Sequence, residues 1–286
     1  MRLRNSVCAL ALFALAAGPA PAAEDFRLVF IAYQNPDQLV DNVEPVVEYL
    51  EARLGVGVKA YVATDYAAVV EALRGETADA GFMGPLQYVL AHQEAGAYPI
   101  LGEVYSGSST YVSRIFVRKD SGIESVEQLK DHSIAFVDPL SSSGYMYPLD
   151  VFRQQGLIDH RDDADAFFGR IYFAGGDEQA IRAVYNGFVD AAGIGQYSFT
   201  LLRPEERDQM VAIGESRPIP SHCVVVRKGA DPELVDGLRE ALLALNDGPN
   251  RNLLEQLYNV DGYVEVDHST YAGVAELAKE YGFVRE

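Results

Sequence analysis

Residues 70–84 read VEALRGETADAGFMG, and residues 181–195 read IRAVYNGFVDAAGIG. The two stretches start 111 residues apart and agree at Ala72/Ala183, Asp79/Asp190, Ala80/Ala191 and Gly84/Gly195. Each reads as a helix, a polar turn and a strand of small residues closed by glycine. Self-similarity at a fixed separation is a mark of repeated architecture. It predicts two similar lobes, each placing a glycine-ended strand tip at the same relative spot. The alternative is a chance likeness between two common αβ units.

Working outward, the chain alternates strand-like and helix-like segments. Phe26–Ala32 and Val58–Val62 are apolar runs of strand length. Val43, Val46, Val47, Leu50 and Leu54 keep helical spacing and end at Gly55. Thr64-Asp65 can cap a helix over 66–74, and Gly75 closes it. Ala80–Met83 is a third strand, and Pro85 suits the first turn of the next helix. Such alternation predicts an α/β fold with a mixed, mainly parallel sheet and helices on both faces. A second pair of matching strings, Arg114–Lys119 and Cys223–Lys228, both end in Val-Arg-Lys. They are read as two crossing strands that form a hinge. The layout expected is lobe one over 24–115 and 223–286, with lobe two over 116–222. The tail from about Asp231 carries Leu234, Leu238, Leu242 and Leu243 and is read as helical, packing back on lobe one.

The first 23 residues read as a cleavable export signal. Arg2 and Arg4 are followed by eleven apolar residues, Val7–Ala17, then by Gly18-Pro19 and the small residues Ala20-Pro21-Ala22. Cleavage is expected after Ala22 or Ala23. Cys8 lies inside the apolar run, which argues against a lipid-modified cysteine. No later stretch is long and apolar enough to span a bilayer. The mature chain keeps only Cys223, so its fold rests on a core and not on a disulfide within the chain. The formal charge of −19 becomes −21 once Arg2 and Arg4 are removed. That excess disfavours nucleic acid and anionic membranes as partners.

Chemistry is concentrated in Asp138-Pro-Leu-Ser-Ser-Ser-Gly-Tyr145. It follows a strand-like run, 133–137, and precedes an apolar helical stretch. The first amides of a helix have no intrahelical acceptor, and the dipole is positive there. Three serines and Gly144 at such a point suit an anion site. An ordinary N-cap is the alternative, and one serine suffices for that.

With these residues the chain resembles the phosphate, phosphite and phosphonate binding proteins of ABC importers. The shared features are Ser141-Ser-Ser-Gly-Tyr145 after Asp-Pro, Phe82-Met-Gly-Pro85 at a strand end, Tyr111, Lys119–Ile123 and Pro218-Ile-Pro220. The resemblance implies a two-lobed type II periplasmic binding fold, a periplasmic location, no chemical reaction and no cofactor. It implies that Ser141, Ser142 and Ser143, with Gly144, hold an oxyanion. Tyr33 and Tyr66 are the tyrosines expected to close on it, with Gly84 and Tyr111 nearby. The family's acidic position maps onto Glu178, and Asp177 replaces the preceding histidine. A family aspartate maps onto Gly195, so Gln196 or Tyr197 is left to supply a polar group. Met83 stands where some members place a tyrosine. An acid facing an oxyanion needs a proton or a cation between them; an Asp177-Glu178 pair placed only to suit a helix dipole is the alternative.

Other patterns are sparse. The histidines 92, 132, 160, 222 and 268 show no metal-ligand spacing. There is no GxSxG. The chain has 17 Tyr and 13 Phe but no Trp. The functions that follow are capture of an oxyanion for an importer permease, an accessory role to a periplasmic sensor-kinase domain, or an enzyme on the same fold.

Overall fold

The computed structural model describes residues 24–32, 36–63 and 65–284. The expected export signal and Tyr33 lie outside these residues. The chain opens with β1 (Phe26–Ile31), α1 (Pro36–Leu54), β2 (Val58–Ala63), α2 (Tyr66–Arg74), β3 (Ala80–Met83), α3 (Pro85–Ala95) and β4 (Tyr98–Val104). It leaves through β5 (Thr110–Tyr111). It then builds β6 (Ser113–Arg118), β7 (Ser133–Phe136), α4 (Tyr147–Gln154), α5 (Ala164–Phe167), β8 (Arg170–Phe173), α6 (Asp177–Tyr185), β9 (Ala191–Gly195), α7 (Pro204–Arg207) and β10 (Met210–Glu215). It returns through β11 (Ile219–Pro220) to β12 (Cys223–Val226), α8 (Pro232–Leu243), α9 (Leu253–Gln256), β13 (Gly262–Glu265) and α10 (Ala272–Glu280).

Two sheets result. The first runs β13-β4-β12-β3-β1-β2 and the second β10-β6-β9-β7-β8. The two copies of the repeat supply β3 and β9, one central strand in each. Their matching aspartates do the same work. Asp79 accepts from the Arg27 amide at the start of β1, and Asp190 accepts from the Ser133 amide at the start of β7. Each acid therefore ties its own strand to a parallel neighbour at the end remote from the glycine.

Alternation along β1 divides the core of the first lobe. Phe26, Leu28 and Phe30 face α1 and α8 through Val43, Val46, Leu50, Leu238 and Leu242. Val29 and Ile31 face the opposite layer, with Val69, Val70 and Leu73 of α2. The period of two is that of a pleated strand covered on both sides.

Three expectations change. The sheets are mixed, as expected, but not mainly parallel: β1 pairs in parallel with β2 and β3, and β7 with β8 and β9, whereas β12 is antiparallel to both neighbours, and β6 is antiparallel to β9 and β10. Strands that arrive from the other lobe enter from the opposite end. The two Val-Arg-Lys strands do not cross between lobes, because β6 belongs wholly to the second sheet and β12 wholly to the first. The crossing is made by β5 and β11, paired through Ile219–Tyr111 and Pro220–Thr110. The tail is also not all helix, since β13 adds an edge strand beside β4. Among the described residues, no helix is long and apolar enough to cross a membrane.

Candidate functional site

Open α/β sheets receive ligands beyond the carboxyl ends of their strands. In this chain those ends face each other. Beyond β2 lies Tyr66 at the start of α2, and beyond β3 lies Gly84 at the cap of α3. Beyond β7 lies the serine turn, and beyond β8 lies Asp177 at the start of α6. All of them line one cleft of about 580 Å³. Gly195, the end of the second repeat, lines it as well.

The serine turn is a wide π-type turn over Ser142–Met146 that runs into α4. Such turns recur at functional sites. It is braced from below. The Ser141 hydroxyl accepts from the Gly144 amide at 3.0 Å, the Asp138 carboxylate accepts from the Leu140 amide at 2.7 Å, and the Ser113 hydroxyl donates to the Ser143 carbonyl at 2.6 Å. A Cβ at Gly144 would lie 2.4 Å from the Val137 Cβ. The glycine is thus required by packing under the turn and is not part of the cleft wall. The Ser142 hydroxyl reaches across the cleft and accepts from the Leu86 amide in the first turn of α3 at 2.9 Å. One side chain therefore joins the two lobes at the site.

Tyrosines and acids complete the wall. Burial pushes the Tyr66 hydroxyl well above the ordinary tyrosine value, the nearby Asp177 charge adds to this, and a bond to Ser141 opposes it. Burial likewise raises Tyr111, against a bond to Ser143. Both phenols stay protonated and can donate to an anion. Asp177 accepts from the Ser198 hydroxyl at 2.6 Å. Burial raises its carboxyl above the usual range, the bond from Ser198 opposes this, and an imidazolium at His222 would oppose it further.

Of the residues expected from sequence, Tyr66, Gly84, Tyr111, Ser141, Ser142, Ser143 and Asp177 come together here. Four others do not. Glu178 is paired with Arg182 one turn along α6 at 2.7 Å, so helix phase brings Asp177 to the wall instead. Met83 is fully buried in the core. Gln196 does not line the cleft, and its amide donates to the Val112 carbonyl. Gly144 packs on Val137. At Gly195 a Cβ would sit 3.2 Å from the Ser143 hydroxyl, so an acid there would crowd the serine turn. Sequence reasoning missed Gln87, Tyr105, Ser198 and His222. Gln87 was legible, because its carbonyl accepts from the Gly84 amide at 2.8 Å in a capping-box position.

A family model described as "ABC transporter, phosphonate, periplasmic substrate-binding protein" matches residues 28–271. The chain belongs to that family. Among relatives of this phosphonate-binding family member, a phosphate-import protein of Mycolicibacterium smegmatis is 29% identical over 228 residues, covering 76% of this chain and 70% of that one. A phosphonates-binding periplasmic protein of Escherichia coli is 28% identical over 251 residues, covering 84% of this chain and 72% of its own. The structure of a Prochlorococcus marinus protein in complex with methylphosphonate superposes with a TM-score of 0.79. It is 18% identical, with 91% of this chain and 98% of that one covered. The fold of this family member is accordingly that of the type II periplasmic binding proteins.

Proposed function

We propose that this chain captures a tetrahedral phosphorus oxyanion, such as a phosphonate, phosphite or phosphate, between its lobes and delivers it to the permease of an ABC importer. The observation that carries this reading is the convergence of Ser141, Ser142 and Ser143 with the starts of α2, α3 and α6 on one cleft. Helix starts supply amide donors and a positive dipole end, and the hydroxyls add neutral donors. In this reading Tyr66 and Tyr111 donate to the oxyanion, and Asp177 accepts from a P–OH group. The lobes built on the two sheets pivot at β5 and β11. The names of the relatives, phosphate import and phosphonate binding, support the ligand class. The family's description as a transporter component favours import over sensing and over catalysis.

The test is a thermal-shift panel on the mature protein with phosphate, phosphite, methylphosphonate, aminoethylphosphonate, arsenate, arsenite and sulfate. A ligand present at a hundred times its Kd stabilises by about 2.7 kcal/mol, enough for a shift of several degrees. A panel with no shift at millimolar ligand overturns the reading.

A further inference from the structure

Among the described residues lining the cleft none is lysine or arginine, whereas Asp177, Glu255 and Asp261 are acids. One lining side chain can gain a positive charge at mild pH, and that is His222. It sits between β11 and β12, with its Nδ1 3.6 Å from Glu103 Oε2 and its Nε2 3.4 Å from the Tyr111 hydroxyl. Glu103, on β4, is fully buried. Its Oε2 accepts from the Tyr105 hydroxyl at 2.7 Å, and its Oε1 has no hydrogen-bond partner. A buried carboxylate with an unserved oxygen is costly and is eased by a neighbouring cation. Among the described residues the imidazole also faces Gly84, the Tyr105 ring edge-on at 6.5 Å, and Asp177 on the second lobe. Tyr111 continues the line to the Ser143 hydroxyl. Glu103, His222, Tyr111 and Ser143 thus form a file from the first sheet to the serine turn.

Resting on the oxyanion reading above, we propose that His222, seated on Glu103, is a specificity-determining residue that takes up a proton as the oxyanion binds. Among the described lining residues an incoming dianion meets three acids and no fixed cation, so an imidazolium between Glu103 and the ligand supplies positive charge there. The bound anion stabilises the charged ring, so the ring holds its proton to higher pH in the complex than in the empty protein. By linkage, affinity is greatest where the ring is charged in both states and declines as pH rises through the range in which histidine loses its proton, about 5 to 8. Glu103 is a positioning residue in this file, because it touches the ring and not the cleft.

The experiment is calorimetric titration of the parent, His222→Gln and Glu103→Gln with methylphosphonate and with inorganic phosphate. Each is run in buffers of different ionisation enthalpy, from about pH 5 to 8. The parent should take up protons on binding, and His222→Gln should take up fewer. The parent-to-variant affinity ratio should be roughly tenfold or more at the acid end, as for a bond to a charged group, and should shrink toward unity at the basic end. Taking the ratio cancels the ligand's own titration. Glu103→Gln should flatten the same profile. A ratio independent of pH, or proton uptake that persists undiminished in His222→Gln, overturns the proposal and places the proton on Asp177 or on the ligand. If the variants do not fold, NMR titration of the His222 ring in the parent, with and without methylphosphonate, decides. A ring that gains no proton overturns the proposal. A parent that binds neither these probes nor any member of the wider panel overturns the oxyanion reading itself.

Discussion

Ser142 has two demands on one hydroxyl, since it accepts from Leu86 across the cleft and faces the space an anion would fill. Replacing it with alanine removes the acceptor for a buried amide and a donor for the ligand together. The expected result for Ser142→Ala is a tenfold to hundredfold loss of affinity, from about 1.5–3 kcal/mol for a bond to a charged group. Ser143→Ala should lose a similar amount with little change in melting temperature, whereas Ser142→Ala should lower it as well, because the buried Leu86 amide is left without its acceptor. Titration calorimetry with the panel's best ligand checks both, and two variants that bind like the parent would reduce the turn to a helix cap. Gly144 behaves differently. A side chain there strikes Val137, so Gly144→Val should cost about 1–3 kcal/mol of overpacking and lower the urea midpoint even without ligand. An unchanged midpoint would mean that the turn has room the structure does not show.

At the level of elements, Asp79 holds more together than its counterpart in the repeat. It bonds the amide and guanidinium of Arg27 on β1 and the guanidinium of Arg227 just after β12. Burial alone would raise its carboxyl, but the bonds from Arg27 and Arg227 prevail and hold it below the usual carboxylate range. A depressed folded value stabilises fully above the unfolded value of about 3.9 and is lost as pH falls through the lower folded one. Asp79→Asn should therefore cost about 3–5 kcal/mol at neutral pH, as for breaking a buried pair. Arg27 is 30% exposed, which favours the lower end. The difference from the parent should close in strong acid, and urea melts at neutral pH and below pH 3.9 would show it. A gap that stays constant across that range would exclude the charge as its source. This Asp, with the helix before it and the glycine-ended strand after it, was readable in the repeat because each feature is local in sequence. The β5–β11 crossing was not, because strands of two residues carry no periodicity. The matching Val-Arg-Lys strings drew attention to their neighbours instead. His222 escaped for a related reason, since its partner Glu103 lies far along the chain and they meet only through the pairing of β4 with β12.

Across the whole molecule, the lobes meet at the cleft through Ser142 and Leu86 and through the rings of Tyr105 and Tyr197, 5.6 Å apart, and behind it through Arg153 with Glu280 and Tyr145 with Phe283. The Tyr197 hydroxyl also points to the Tyr105 carbonyl at 3.4 Å. An aromatic pair contributes about 0.5–1.5 kcal/mol beyond its buried area. Tyr197→Ala should speed ligand release roughly two- to tenfold while leaving association nearly unchanged, because the contact forms only as the lobes come together. Stopped-flow displacement measures both rates, and an effect confined to association would assign Tyr197 to ligand entry. The same wall has an optical side. Tyr66, Tyr105, Tyr111, Tyr197 and Tyr258 all line the cleft, and the chain contains no tryptophan. Excited tyrosines in most proteins pass their energy to an indole and go dark. Here no indole exists to take it, so five fluorophores surround the binding space and report from it directly. Filling or closing the cleft should change the protein's own ultraviolet emission, giving a label-free signal in the unmodified molecule.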